Sequence, residues 1–301
     1  MDKQKLLSIC IPTYNRADIL NRTLRSLTTN PDYNPDLIEI VISDNCSTDN
    51  TKEVVAMYPD IKYYCNDENI KDYNFTKAIE YGTAKYVRLF NDTLLFNFGE
   101  LECMLRTIKK YEKANVNLFF YKNTWLHSDS NITISTLKEY FKEVSFYSTW
   151  IANTGFWLED FKKIENKNLY SYLQFPQLEW NYRIVENGKK TVIYFSNIFE
   201  TLQPPNKGGY NFFNTFINKY LYIVKKQRIG ILNYELEKFR LFRHFIYNYL
   251  VVFFIVNKGE YSFETKGVAK IIFSKYWYNL YIYPILVMFI IKKITNKCKQ
   301  E

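Results

Sequence analysis

Over roughly its first two thirds, this 301-residue chain alternates between two patterns of apolar and polar positions. Short continuous apolar runs are typical of strands buried on both faces of a sheet. Segments with apolar residues at helical spacing separate them. Strands are predicted at 6–12, 38–43, 61–65, 86–90, 117–121 and 191–195. Helices are predicted at 17–28, 50–57, 72–81, 99–113 and 177–187. This alternation predicts an α/β fold with a mainly parallel sheet covered by helices on both faces, whereas residues 123–150 look irregular.

The pattern changes near residue 212, where the chain becomes helical and apolar to its end. Its two most hydrophobic stretches are 245–256 and 279–291, and Pro284 interrupts the second. Both fall short of the roughly 20 residues needed to span a bilayer. We favour an interfacial membrane helix pair; the alternatives are a hairpin that packs on itself or on the preceding domain, and a true span. The predicted domains are residues 1–211 and a helical extension, 212–301.

Two predicted strands end in short polar runs. The first run reads PTYNR and the second SDNCSTDNT, and such residues favour turns and helix N-caps. In open α/β sheets, ligands bind where the strands end at their carboxyl edge. The residues expected to be neighbours in one crevice are Thr13, Tyr14, Asn15, Arg16, Asp44 and Asn45.

The ordered pair of polar runs resembles the start of a family 2 glycosyltransferase, and the resemblance extends to roughly residue 210. It implies a GT-A-like fold: a mainly parallel Rossmann-type sheet flanked by helices, here with a C-terminal helical extension. In that family the first loop and the first Asp of the second loop hold the base of a nucleotide-sugar. The donor-binding residues implied here are Pro12, Thr13, Tyr14, Arg16 and Asp44.

The resembled family also has a metal-binding D-x-D motif after a later strand, and YVRLFNDT places Asn91, Asp92 and Thr93 on it. Carboxylate, amide and hydroxyl oxygens can together hold Mn²⁺ or Mg²⁺, because these ions also bind waters and phosphates. The resemblance therefore implies that Asp92 is the metal ligand and that Asn91 and Asp92 both bind the nucleotide-sugar donor. The alternative is a simple Asx-turn. Upstream, Asn69 and Asn74 match another family motif, and Asn69 joins the donor-binding set.

The general base is less well defined. Arg183 and Gly188 have the family's spacing, so the family's Glu-Asp pair falls on Pro176 and Gln177. A glutamine side chain cannot act as a base. A base of this kind would contribute roughly 10²–10⁴-fold in rate.

The nearest carboxylate is Glu179, which we predict as the base on the condition that its helix begins near Leu178. In a helix that begins earlier, residue 179 points about 200° away from residue 177. The alternative is that Glu179 is an ordinary exposed residue. Asp160 is the second choice for the base.

Two basic positions could contact phosphate. Lys207, Gly208 and Gly209 follow the last predicted strand, and adjacent glycines with a lysine can form an anion-binding loop over a diphosphate. The alternative there is a plain linker turn. Lys71 stands where the family usually has glycine; it either pairs with a phosphate or is a solvated lysine at a helix start.

Charge is unevenly placed along the chain. Residues 219–301 hold 15 Lys/Arg and 5 Asp/Glu, a net charge of +10; the whole chain carries +9, so the first 218 residues carry 9 − 10 = −1. A nucleic-acid enzyme would place its basic patch around the reactive groove, so nucleic acid is not an expected partner. A basic, apolar tail instead indicates an anionic membrane surface. Five scattered cysteines indicate reduced thiols, and the N-terminus lacks a signal-peptide core.

Together these features predict an inverting, metal-dependent glycosyltransferase, peripheral to the cytoplasmic face of the cell membrane. By the resemblance it moves a sugar from a nucleotide-sugar to a lipid-linked glycan in capsule or lipopolysaccharide synthesis. The alternative is a non-catalytic module on the same fold that binds a sugar-nucleotide or a glycan. A nucleotidyltransferase is disfavoured, because no glycine-rich phosphate loop follows the first strand.

Overall fold

The computed structural model of the chain describes residues 4–203, 207–256 and 261–297. The chain divides into two compact units, one ending at Gln203 and the other beginning at Pro204. The predicted domain boundary at residue 211 lies slightly later, at the end of a strand that belongs to the second unit.

The first unit is an α/β domain, as predicted. Its strands are β1 (Leu7–Thr13), β2 (Ile38–Asp44), β3 (Lys62–Cys65), β4 (Tyr86–Leu89), β5 (Leu94–Phe96), β6 (Asn117–Lys122), β7 (Ser130–Ile134), β8 (Gly155–Trp157), β9 (Thr191–Ser196) and β10 (Phe199–Thr201). Its α-helices are α1 (Ala17–Thr28), α2 (Thr51–Ala56), α3 (Tyr73–Glu80), α4 (Glu100–Tyr111), α5 (Leu137–Val144), α6 (Leu158–Lys162) and α7 (Pro176–Val185).

The main sheet has the strand order β3-β2-β1-β4-β8. Its first four strands are parallel, and β8 runs antiparallel to β4. A second sheet has the order β6-β9-β7, with β6 and β9 parallel and β7 antiparallel. The mainly parallel sheet flanked by helices confirms the fold prediction. Because β1, β2 and β4 are parallel, their carboxyl ends lie at one edge of the sheet.

Every residue of β1 and β2 is buried, which explains their continuous apolar runs. Alternate side chains of β1, including Leu7 and Ile9, join a core shared with α1, α2 and α4. Helix α3 contacts β1, β2 and β4. At its C-terminal end, a Cβ atom added to Gly82 would lie about 3 Å from Cys10 and Ser8, the side chains of the other β1 face.

The prediction that residues 123–150 are irregular is wrong in part, because they contain β7 and α5. Helix α5 begins with a capping box: the Thr136 side chain accepts from the Glu139 N–H, and the Glu139 side chain accepts from the Thr136 N–H. This signal is visible in the sequence as TLKE. Strand β7 is mostly exposed, so it lacks the apolar run that identified the other strands.

The second unit is mainly helical. Its elements are β11 (Lys207–Asn211), α8 (Leu221–Lys226), α9 (Ile231–Leu241), α10 (Tyr247–Val251), β12 (Tyr261–Glu264), α11 (Val268–Tyr276) and α12 (Ile282–Lys297). Strand β11 pairs in parallel with β12. Turns of π-helix at 214–220, 242–246 and 252–256 extend or join the α-helices.

One continuous helix, Ile231–Val256, combines α9, α10 and two π-turns; we call it the long tail helix. Its 26 residues include a window of mean hydropathy 1.4, so by length and composition alone it could cross a membrane. The prediction that both apolar stretches are too short is therefore wrong for the first one. It counted only the apolar residues 245–256, whereas the helix continues back through Arg243 and Arg240.

Candidate active site

The carboxyl edge of the main sheet brings together the polar residues that follow β1, β2 and β4. Thr13 and Asp44 are paired in the register of the two strands, and the Asn45 N–H donates to the Thr13 carbonyl at 2.9 Å. The Thr13 hydroxyl donates to Asp92 Oδ2 at 3.1 Å. Thr13, Asp44 and Asn45, expected from the sequence to be neighbours, are therefore brought together at this edge.

The Asp44 carboxylate ends β2 and is only 1% exposed. The Ser47 N–H donates to Oδ1 at 3.0 Å, and the Tyr63 hydroxyl donates to Oδ2 at 2.6 Å. Burial and then the hydrogen bond to Asp44 raise the pKa of Tyr63, so Tyr63 stays a protonated donor. A carboxylate offers about four lone pairs, so Asp44 can accept a further donor from a ligand.

Asp92 is buried beside Arg16. The Arg16 guanidinium donates through Nη1 to Asp92 Oδ1 at 2.9 Å, and the Thr23 hydroxyl donates to the Asp92 carbonyl at 2.8 Å. Burial raises the pKa of Asp92, against the lowering effects of Arg16 and of the Thr13 hydroxyl. The Arg16 side chain is 41% exposed, so one end of this ion pair is accessible to a ligand.

Hydrogen bonds join the PTYNR loop at the end of β1 to the SDNCSTDNT loop at the end of β2. The Asn15 N–H donates to Ser47 Oγ at 2.8 Å, and the Thr48 N–H donates to Asn15 Oδ1 at 2.7 Å. Asn15 has a positive φ of 50°, a conformation that asparagine tolerates better than most residues. Pro12 is buried within β1, while Tyr14 is exposed beside this junction.

The predicted metal site fits a divalent cation poorly. The positive charge of the Arg16 guanidinium lies 2.9 Å from Asp92 Oδ1 and opposes a second cation at that carboxylate. The residues that the structure describes contain no group of three His, Cys, Asp or Glu side chains able to hold a metal. Asn91 Oδ1 is buried and has no hydrogen-bond partner among the described residues, but a single amide oxygen does not make a site.

A network of asparagines fixes the loop before α3. The Asn45 side chain donates through Nδ2 to Asn69 Oδ1 at 2.8 Å. Its side-chain oxygen Oδ1 accepts from Asn66 Nδ2 at 3.2 Å. Asn66 also donates to Asn74 Oδ1 at 2.9 Å. The side-chain oxygens of Asn69 and Asn74 thus already accept hydrogen bonds from other residues of the protein. These two residues shape the loop, and Asn69 remains only an untested donor-binding candidate.

Beside this network, an open groove of about 640 Å³ runs along α3. Lys71 lies in its wall with a positive φ of 54°, together with Tyr73 and Asn168. The Thr76 hydroxyl donates to Asn168 Oδ1 at 2.6 Å and ties α3 to the segment before α7. The groove has the size of a small-molecule site.

The condition set for Glu179 as the base is not met, because α7 begins at Pro176 and already includes Gln177. The Gln177 side chain donates to the Thr149 carbonyl at 2.8 Å. Glu179 is buried and accepts from Arg183 Nε at 2.6 Å. Because the Glu179 carboxylate is engaged by the Arg183 guanidinium, the geometry disfavours Glu179 as the base.

Glu179 instead lines a groove of about 610 Å³ that also contains Asp160. Asp160 is buried and paired with Lys189 at 2.6 Å and with Lys163 at 3.3 Å. Within the described part of the chain, the hydrogen bonds and ion pairs of these two carboxylates do not include Asp44 or Asp92. Asp160 is therefore disfavoured as a base for the same reason as Glu179.

The predicted diphosphate loop is not a loop in the structure. Lys207–Asn211 forms β11 in the second unit, and the Lys207 side chain lies outside the described residues. A Cβ atom added to Gly208 would lie 2.4 Å from the carbonyl carbon of Ser262 on β12. Gly208 is thus required for strand packing, and Gly209 for its positive φ of 87°. A phosphate-binding role for Lys207, Gly208 and Gly209 stays a prediction.

The sequence reasoning missed Tyr63, Ser47 and Thr23, which fix Asp44 and Asp92. Tyr63 lies on β3, and no short motif in the sequence links it to Asp44. Ser47 lies within the polar run SDNCSTDNT, where its N–H is the natural donor to an aspartate three residues earlier. That turn was therefore predictable, whereas the tyrosine was not.

Comparison with known proteins identifies the family of this arrangement. The sequence model described as "Glycosyl transferase family 2" matches residues 8–170, more than half of the chain. An abequosyltransferase of Salmonella typhimurium is 38% identical over 91 residues, which cover 28% of this chain and 27% of that relative. The match thus spans about a quarter of the relative's length.

Solved structures share the fold. The chain aligns with TarS 1–349 of S. aureus, solved in complex with UDP-GlcNAc, at a TM-score of 0.55 and 15% identity, covering 79% of this chain and 73% of that one. It aligns with the mannosyltransferase PcManGT of Pyrobaculum calidifontis, solved with GDP-Man and Mn²⁺, at a TM-score of 0.54 and 12% identity, covering 79% and 70%. At these identities the likeness shows the fold alone.

Proposed function

This chain belongs to glycosyl transferase family 2, and from that premise we propose that it transfers a sugar from a nucleotide-sugar to a hydroxyl group of a glycan, with inversion at the anomeric carbon. One observation carries the proposal. The buried Asp44 carboxylate lies at the carboxyl edge of the parallel sheet, beside Thr13 and the Arg16–Asp92 pair. This is the edge at which open α/β sheets bind ligands.

In this proposal Asp44 recognises the nucleotide base by accepting its imino N–H. Tyr63 and the Ser47 N–H hold the carboxylate in place and leave it capacity for one more donor. A buried charged acceptor discriminates strongly, because a base without a matching donor would leave the carboxylate under-satisfied.

Arg16 is proposed to contact the diphosphate. Its guanidinium is half-exposed and has four N–H groups beyond the one donated to Asp92. Arg16 also immediately precedes α1, so its charge adds to the positive end of the helix dipole. Because the positive charge of Arg16 already lies against the Asp92 carboxylate, we assign no step to Mn²⁺ or Mg²⁺; metal binding at Asp92 stays a prediction.

The glycan acceptor is proposed to be lipid-linked, at the cytoplasmic face of the cell membrane, as in surface-polysaccharide synthesis. The support is the basic second unit, whose residues 219–301 carry a net charge of +10. Anionic lipids attract such segments with roughly 1 kcal/mol per basic residue near the surface.

A second function, a non-catalytic sugar-nucleotide-binding module, is favoured by one observation. Gln177 occupies the position of the family's catalytic carboxylate, and the nearest acid, Glu179, is paired with Arg183. Such a module would bind nucleotides and turn none of them over.

The two functions are separated by a donor screen. Purified chain is incubated with a panel of UDP-, GDP- and dTDP-sugars, with and without Mn²⁺, and release of nucleoside diphosphate is measured. Release of one diphosphate above the no-enzyme control supports the transferase. Binding of a donor with no release, even with added glycan acceptors, supports the module, and absence of binding contradicts both.

A further inference from the structure

Helix α12 has an exposed apolar face. Tyr283, Val287, Ile290, Ile291 and Ile294 recur at helical spacing, and we call them the outer stripe. The four aliphatic members are each more than half exposed. A contiguous exposed face of this kind on a folded protein marks an interaction site.

The opposite face of α12 is packed. Ile282 and Ile285 are buried, and the Phe289 ring lies 6.4 Å from Phe254 of the long tail helix. Lys293 Nζ lies 5.9 Å from the centre of the Phe254 ring. The inner contact therefore fixes which residues of α12 point away from the long tail helix, and the outer stripe is the result.

The turn that leads into α12 extends the same exposed surface. Trp277 is 64% and Leu280 is 82% exposed. Hydrogen bonds hold this turn in place: the Tyr283 hydroxyl donates to the Trp277 carbonyl at 2.6 Å, and the buried Lys238 donates to Asn279 Oδ1 at 2.7 Å. An ordered turn that presents tryptophan and leucine to solvent suits a membrane interface.

The dimensions suit a helix that lies on a membrane. The 16 residues of α12 extend about 24 Å, less than the roughly 30 Å of the hydrocarbon core. The long tail helix is long enough to span, but its buried Glu237 and Lys238 are tied into the protein, and its apolar part contains Arg240 and Arg243. Because Glu237 and Lys238 are held by side chains of the protein and Phe254 lies against Phe289, we take the long tail helix as the support on which α12 packs.

We propose that the outer stripe, with Trp277 and Leu280, is the surface by which this protein inserts into an anionic bilayer. The proposal rests on the membrane association proposed above and names its contact face. The competing occupant is a second copy of the chain. Charge favours lipid, because residues 219–301 carry +10, so two such faces repel each other and an anionic surface attracts them.

The test is co-sedimentation of the full chain with phosphatidylcholine vesicles, with and without phosphatidylglycerol. Val287→Gln, Ile290→Gln and Ile294→Gln are combined in one variant, since glutamine keeps helix propensity. This variant should partition into anionic vesicles at least about tenfold more weakly than wild type, because three inserted side chains no longer leave water. A matched control, Met57→Gln with Phe98→Gln, changes exposed apolar residues of the first unit and should partition like wild type.

Two further measurements refine the result. Raising the salt concentration should weaken binding of wild type to anionic vesicles and leave its binding to neutral vesicles unchanged. Brominated lipid should quench part of the tryptophan fluorescence of wild type. The same quenching should be absent in Trp277→Phe, which assigns it to Trp277. Thermal unfolding and nucleoside diphosphate titration check that each variant is folded, and separate a failure here from a failure of the proposed reaction.

Three outcomes would overturn the proposal. The first is that wild type does not bind anionic vesicles at low salt. The second is that the stripe variant binds as well as wild type, which would place the contact elsewhere. The third is that wild type is a dimer which the stripe variant converts to monomer, with no vesicle binding by either, which would make the outer stripe an interface between copies.

Discussion

The two edges of the main sheet carry buried carboxylates in opposite conditions: Glu39 near the amino end of β2, and Asp92 just after the carboxyl end of β4. At the amino end, Glu39 accepts from Lys62 at 2.7 Å, from the Thr83 hydroxyl at 2.8 Å and from the Ser8 hydroxyl. Burial alone raises its pKa, but these hydrogen bonds prevail and lower it. At the carboxyl edge, Asp92 has an ion pair with Arg16, yet burial prevails and raises its pKa.

The difference shows where the domain is built for stability and where for binding. The Glu39 cluster favours the charged form and so stabilises the fold at neutral pH. At Asp92, burial disfavours the charged form of the carboxylate, and the contacts with Arg16 and Thr13 offset this only in part. Buried groups with such perturbed proton affinities cluster at functional sites. The following predictions test this contrast.

The largest expected effect is the loss of stability when Glu39 is neutralised. Glu39→Gln should lower the free energy of unfolding by about 2–4 kcal/mol, because its buried donors lose a charged acceptor. Lys62 is 40% exposed, which limits the cost. Urea denaturation measures the change. Glu102→Gln, an exposed control, should change stability by less than about 0.5 kcal/mol. If Glu39→Gln loses no more stability than Glu102→Gln, the proposed difference between the Glu39 cluster and the Asp92 site is wrong.

The pH dependence of that stability has a definite sign. A lowered pKa means that the contribution of Glu39 is present above the ordinary glutamate pKa of 4.5 and is lost as pH falls through its folded value. Urea midpoints of wild type should therefore fall more steeply in acid than those of Glu39→Gln. Parallel curves for the two proteins would contradict this prediction.

The next effect is on binding. Asp44→Ala should weaken nucleoside diphosphate binding by about 1–3 kcal/mol, because a buried charged acceptor for the base is lost. Calorimetric titration measures the affinity. Glu39→Gln serves as the control and should bind normally wherever it is folded. Equal affinity of wild type and Asp44→Ala would exclude Asp44 from base recognition.

A smaller effect of opposite sign is expected at Asp92. A raised pKa means that charging Asp92 opposes folding as pH rises through its folded value. Asp92→Asn should therefore keep or raise the free energy of unfolding at neutral pH, by less than about 1 kcal/mol, while lowering donor turnover. A loss of stability like that of Glu39→Gln would show that the carboxylates at both edges of the sheet are structural.

The smallest expected effect is that of metal removal. Because the Arg16 guanidinium lies 2.9 Å from the Asp92 carboxylate and opposes a second cation there, EDTA should leave nucleoside diphosphate affinity unchanged within about twofold. Titrations in EDTA and in Mn²⁺ compare the two conditions. A large gain with Mn²⁺, lost again in Asp92→Asn, would restore the metal site predicted from the sequence.

The sequence identified those parts of the fold that depend on local pattern. The apolar runs of β1 and β2 and the helical spacing of α1 predicted these elements closely, because they are buried throughout or on one face. Strand β11 was missed because its partner β12 lies more than 50 residues away. No local pattern reports such a pairing.

The candidate site shows the same division. Thr13 and Asp44 follow apolar strands and could be located from the sequence. The Arg16–Asp92 pair joins residues 76 positions apart, and it depends on the register of β1 against β4. The spacing of a D-x-D motif could not show that an arginine occupies its one remaining carboxylate.

The most direct test of the central claim is calorimetric titration of wild-type full chain with uridine and guanosine diphosphates, against adenosine diphosphate as a comparison. The proposed recognition of a base imino N–H by Asp44 predicts that the chain binds uridine or guanosine diphosphate and discriminates against adenosine diphosphate, which has no imino N–H. The claim would be contradicted if none of the three diphosphates binds, or if all three bind with equal affinity.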